Sequence, residues 1–95
     1  MELRVLRYFL AVAREQSVSA AAAALHISQP ALSTQIKAME QALGKQLFIR
    51  GTKGARKVAL TEEGRLLRRR AEEILFLVKR TEEEIAGSDA VLAGD

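Results

Sequence analysis

Ser28-Gln29-Pro30-Ala31-Leu32-Ser33-Thr34-Gln35-Ile36-Lys37 is the stretch whose reading decides the fold. Ser28 is a good N-cap, since its hydroxyl can accept a hydrogen bond from a free first-turn amide. Pro30 falls in that first turn, where a missing N–H costs nothing. The spacing predicts a helix running to Leu43, with Gly44 as the natural residue to end it. At about 100° per residue, Leu32, Ile36, Met39 and Leu43 form one apolar stripe. Pro30, Ser33, Thr34 and Lys37 cluster on the other side, with Gln29 at the helix start. The first acid on this helix is Glu40. A merely solvated face usually mixes Glu with Lys, whereas this one offers an amide, two hydroxyls and a cation. Gln can pair bidentately with adenine, hydroxyls donate or accept, and Pro and Thr can touch a thymine methyl. The reading is a helix that contacts DNA bases in a groove, with its free N-terminal amides available to a phosphate.

Upstream of it, a short helix is expected over Ala20 to Ala24, closed by Leu25. Five alanines favour helix and let a neighbour approach closely. Ser17 or Ser19 supplies its cap. His26-Ile27-Ser28 then separates the two helices by about three residues, the helix-turn-helix spacing. Before them, Leu3, Leu6, Leu10 and Ala13, with Phe9 beside them, recur at helical spacing and predict an amphipathic first helix over residues 3–14.

Downstream, Leu47-Phe48-Ile49 and Val58-Ala59-Leu60 have strand character. Arg50-Gly51-Thr52-Lys53-Gly54-Ala55-Arg56-Lys57 between them carries two glycines and four cations, a basic hairpin tip. Placed after a helix-turn-helix, such a wing can lay Lys53 or Arg56 on a DNA backbone or minor groove. Thr61 caps a long last helix to about Ala86, with Glu62 and Glu63 complementing the positive end of its dipole. Leu67, Ala71, Ile74, Val78 and Ile85 follow a heptad-like spacing with Thr81 at the weak position, and the seam predicts a homodimer. Arg65, Arg68, Arg69 and Arg70 are expected to pair with Glu62, Glu72 and Glu73 along the helix.

Composition narrows the function. The 95 residues fit one domain, and the net charge of +3 is unevenly spread. Residues 1–60 hold nine Lys and Arg against three acids, and residues 61–95 hold six against nine. A basic body suits phosphate attraction. No cysteine and one histidine leave no material for a disulfide framework and almost none for a metal or cofactor site, and the absence of thiols fits a cytoplasmic setting. His26 has no Cys or nearby acid to work with, so the chain is not expected to be an enzyme. No apolar run is long enough to span a bilayer, so no membrane role is expected.

Several separated motifs together resemble the LysR-type transcriptional regulators. They are Leu6-Arg7-Tyr8-Phe9, Ser17-Val18-Ser19 with the alanines, Leu25 through Ser33, Ile36, Met39-Glu40, Leu43-Gly44, Leu47-Phe48-Ile49-Arg50 and Leu60-Thr61-Glu62-Glu63-Gly64. The resemblance covers residues 1–86. It implies a mainly α fold, with a winged helix-turn-helix over residues 1–60 and a dimerising linker helix over residues 61–86. The helix-turn-helix would occupy about residues 18–37 and the wing about 46–60, with residues 87–95 beginning a hinge. It implies a bacterial cytoplasmic regulator that reads AT-rich inverted repeats in double-stranded DNA. The residues matching the family's reading positions are Gln29, Pro30, Ser33 and Thr34, and the wing reaches the minor groove near Lys53. The full expected DNA-contacting set adds Lys37, Ser28, Ser17, Ser19, Arg50 and Arg56. The long helices pair antiparallel across the dimer. Such regulators continue into a domain that binds a small inducer, form higher oligomers and act on RNA polymerase, so this chain is expected to be a DNA-binding fragment.

Overall fold

The computed structural model describes residues 1–50 and 57–88. In chain order these form α1 (Leu3–Glu15), α2 (Val18–Leu25), α3 (Gln29–Leu43), β1 (Phe48–Arg50), β2 (Val58–Leu60) and α4 (Glu62–Ala86). The architecture is mainly α with a two-stranded antiparallel wing, in the register Phe48–Leu60, Ile49–Ala59 and Arg50–Val58.

Local chemistry sets the helix ends. Ser17 Oγ accepts from the Ala20 amide, Ser28 Oγ from Ala31 and Thr61 Oγ1 from Gly64, so each of these helices starts on a hydroxyl cap. Of the two serines weighed for α2, Ser17 is the cap, and the helix therefore begins at Val18. Two of the helices end on non-glycine residues in the left-handed region, Gln16 at φ 55° and His26 at φ 59°. Gly44 ends α3 at φ 69°, where glycine carries no Cβ penalty.

The core joins α1, α2, α3, the wing base and the start of α4. Phe9, Leu6, Leu32, Ile36, Leu47 and Val12 are its largest fully buried side chains. The Phe9 and Phe48 rings sit 5.1 Å apart, tilted at 42°, which fastens the wing base to α1. Ala21 and Ala22 are buried, and their small size lets α2 lie close to its neighbours.

Three apolar faces differ from the periodic reading. On α1 the buried set is Val5, Leu6, Phe9, Ala11 and Val12, while Leu3 is exposed. The stripe is rotated because α2, α3 and α4 all pack on α1. Leu43 is 43% exposed and does not continue the α3 stripe, because the chain turns away at Gly44 one residue later. On α4, Leu67 and Ala71 are buried inside the chain. They pack into the core rather than lying open to a partner helix. The free part of the expected seam is Ile74, half-buried Val78 and Ile85.

Gly64 is the point of closest approach between α4 and the wing base. A Cβ there would overlap the carbonyl oxygen of Leu47. The sequence places Gly64 where a capping box has Glu; the packing shows that only a residue without a side chain fits.

Candidate nucleic-acid interface

Three elements converge around the outer face of α3. Gln29 and Pro30 are exposed on its first turn, followed by half-buried Ser33 and exposed Thr34 and Lys37. The opposite side holds buried Leu32, Ile36 and Met39, so the polar face is held outward by its own core stripe. Ser28 is engaged as the cap, its Oγ 3.2 Å from the Ala31 amide nitrogen.

An open groove runs beside the N-terminus of α3. It is lined by Ser17, Ser19 and Gln29 together with Lys57 and Val58 of the wing. Ser17 and Ser19 stand with their hydroxyls 3.1 Å apart, and Ser17 also accepts from Ala20. The wing reaches this place through its backbone: the Val58 N–H donates to the Gln16 carbonyl at 3.0 Å. On the other flank of α3, Lys37, Lys45 and Arg50 line a second groove.

The groove with Lys37, Lys45 and Arg50 also holds Glu40, and the one with Lys57 also holds Glu15; Glu40 is turned to the Leu47 amide and Glu15 is paired with Arg14. Lys37, Lys45, Arg50 and Lys57 form no ion pair among the described residues, where the ion pairs use Arg4, Arg14, Arg70 and Arg80. Unpaired surface cations flanking a neutral polar helix face suit a polyanion whose bases are read in the middle.

The structure brings Ser17, Ser19 and Gln29 together in one groove and Lys37 and Arg50 in another, while Ser28 caps α3 and Pro30, Ser33 and Thr34 lie on the helix itself. Lys53 and Arg56 lie outside the described residues. Lys45 and Lys57 join the surface without having been singled out in the sequence. Their signal was weak: one cation just past a helix-ending glycine, and one at the inner end of a basic loop. Of the four clustered arginines, Arg70 pairs with Glu73 at 3.0 Å, and Arg65 donates to the Leu60 carbonyl at 3.3 Å. Arg68 and Arg69 instead line a groove between α1 and α4 with Arg14 and Glu72. No group of three potential metal ligands occurs among the described residues. No helix among them is long and apolar enough to cross a membrane.

Residues 3–65 match the family profile described as bacterial regulatory helix-turn-helix protein, lysR family. The chain is 43% identical to the HTH-type transcriptional regulator BsdA of Bacillus subtilis, an alignment covering 96% of this chain and 33% of BsdA. It is 48% identical to the HTH-type transcriptional regulator BudR of Klebsiella aerogenes, across 100% of this chain and 64% of BudR. The chain thus spans about a third of one relative and under two thirds of the other. Among solved structures it resembles the BenM DNA-binding domain in complex with catB site 1 DNA, with a TM-score of 0.84 and 43% identity over 95% of this chain and 96% of that one. It also resembles the CbnR DNA-binding domain in complex with DNA, with a TM-score of 0.86 and 38% identity over 93% of this chain and 98% of that one.

Proposed function

The chain belongs to the lysR family of bacterial regulatory helix-turn-helix proteins, and from that premise we propose that it is the sequence-specific DNA-binding part of a transcription regulator. The observation that carries this reading is the outer face of α3, a polar surface whose Gln29, Pro30, Ser33, Thr34 and Lys37 include no acid, with the unpaired cations Lys45, Arg50 and Lys57 in the grooves beside it. α3 enters the major groove. Gln29, Pro30, Ser33 and Thr34 touch base edges there, while Lys37 and the α3 N-terminus at Ser28 face phosphates. Ser17 and Ser19 hold the backbone beside Gln29. Arg50, with Lys53 and Arg56 of the basic stretch that follows it in sequence, meets backbone or minor groove. The target is an AT-rich inverted repeat.

An inverted repeat calls for a two-fold protein, because two reading heads must face related half-sites. The exposed apolar face of α4 supplies the contact between copies, through Ile74, Val78 and Ile85. We assign residues 1–60 to the DNA-binding head and 61–86 to the dimerising helix, with residues 87–95 leading toward an effector domain. In the full-length protein that domain senses a small inducer, and the assembled regulator works in the cytoplasm, as a higher oligomer, on RNA polymerase. No catalytic role is proposed: the single histidine, His26, is exposed at the end of α2, and the matched relatives are named as transcriptional regulators.

Selection of bound sites from a random duplex pool tests the proposal. A recovered motif with two-fold symmetry supports it, and recovery of unrelated sequences contradicts it.

A further inference from the structure

The clustered arginines of α4 have two different fates. Arg65 and Arg70 are engaged within the chain, at the Leu60 carbonyl and at Glu73. Arg68 and Arg69 enter none of the ion pairs among the described residues. They line a groove between α1 and α4 together with Leu10, Ala13, Arg14 and Glu72. Leu10 and Ala13 are half-buried, so the groove sets aliphatic surface beside cations. Arg14 also reaches Glu15, in a surface pair that exchanges at little cost. Phe76 follows Arg69 and Glu72 at helical spacing on the same face of α4 and is 66% exposed. An open aromatic ring and unpaired arginines beside an aliphatic hollow have the composition of a protein–protein contact centre.

This surface is turned away from both contacts proposed above. On α1, Val5 lines a hollow with Gln35, Ala38 and Met39 of α3. Arg14 lies about 180° and Leu10 about 140° round the helix from Val5. On α4, Phe76 lies about 180° from the midline between Ile74 and Val78. A chain bound to DNA through α3 and to a second copy through α4 therefore still presents the groove.

We propose that the groove of Arg14, Arg68 and Arg69, with Phe76, is a docking surface for an acidic amphipathic helix of another protein. The direction of the surface, though not its chemistry, rests on the DNA and dimer readings. Apolar side chains of the incoming helix lie on Leu10, Ala13 and Phe76, as in other helix-in-groove contacts. Its carboxylates accept from the guanidinium groups of Arg68 and Arg69, which give up no ion pair to receive them. Glu72 sets a further condition, because it repels an anion placed beside it. Negative charge is admitted at the arginines and refused one turn further along α4. A continuous phosphate backbone meets that condition poorly. A helix with a neutral or basic residue at that point meets it well.

The probe is a synthetic helical peptide with leucines along one face and glutamates beside them, titrated into isotopically labelled chain and followed by amide chemical shifts. The expected result is a set of shifts centred on Leu10, Arg14, Arg68, Arg69 and Phe76 that persists when duplex DNA saturates the chain. Phe76→Ala, and Arg68→Gln combined with Arg69→Gln, each weaken peptide binding several-fold while leaving duplex preference unchanged. A peptide of the same charge with serine in place of leucine binds several-fold more weakly than the parent. Equal binding of the two peptides overturns the proposal, since it reduces the contact to charge attraction. Shifts centred on Lys37, Lys45 and Lys57, or release of the peptide by duplex, also overturn it. A single-stranded oligonucleotide that moves the same amides more strongly than the peptide assigns the groove to nucleic acid instead. Peptide binding to this chain but not to the full-length protein assigns it to the effector domain. Peptide shifts in a chain that binds no duplex support the docking surface and contradict the DNA reading, so the two fail separately.

Discussion

Glu40 on α3 accepts the backbone N–H of Leu47 at 2.7 Å, and the same carboxylate oxygen lies 3.3 Å from the Phe48 amide. The first acid on the helix thus points to the wing rather than to solvent. It fixes the base of β1 to α3, so the proposed reading head and its wing move as one body. Thr61 fastens the other side of the same junction, its Oγ1 donating to the Gln46 carbonyl at 2.7 Å.

Glu40→Ala is expected to destabilise the fold by about 1–3 kcal/mol, because two part-buried amides lose a charged acceptor. Glu40→Gln retains an acceptor and should cost less. Urea denaturation of the two variants checks the order; equal stability of both with the parent would remove Glu40 from the wing junction.

Gly64 and Gly44 should respond differently to alanine. Gly64→Ala sets a methyl against the Leu47 carbonyl and forces α4 away from the wing. Gly44→Ala has open space around it and pays only for φ 69°, about 1 kcal/mol. Thermal melts should rank Gly64→Ala clearly lower. The reverse ranking would mean that α4 does not press on the wing base.

Lys57 and Lys45 test the grooves beside α3. If each faces a phosphate, replacing either with Ala lowers the slope of log affinity against log salt by about 1 while leaving sequence preference unchanged. Salt titrations of duplex binding measure it. An unchanged slope in both variants would place the DNA path elsewhere.

Ile74→Asp with Val78→Asp buries two charges in the proposed α4 seam and should convert a dimer to monomers. Light scattering reads the mass directly. A dimer that persists would mean that the copies meet through another face.

The caps were legible in the sequence because they are local. Ser28 and Thr61 stand within three residues of the amides they serve. The wing strands were legible to within one residue, β1 running Phe48–Arg50 where the apolar run was 47–49 and β2 falling on Val58–Leu60 as read. What periodicity could not decide was which of two adjacent apolar stripes each helix buries. Leu3 and Leu43 lie exposed, and Leu67 and Ala71 are covered by the chain itself, because those outcomes depend on where neighbouring helices sit. The grooves were hidden for the same reason. Lys57 lines the same groove as Gln29 beside the bond from the Val58 amide to Gln16, a pairing that no local spacing announces.

The central claim is that the outer face of α3 reads bases, and discrimination between DNA sequences tests it most directly. Gln29→Ala and Ser33→Ala should each be titrated against a selected duplex and a scrambled one at fixed salt. The account predicts that the difference in binding free energy between the two duplexes shrinks by about 1–3 kcal/mol where a base contact is lost, with affinity for the scrambled duplex unchanged. Full discrimination retained by both variants would contradict it.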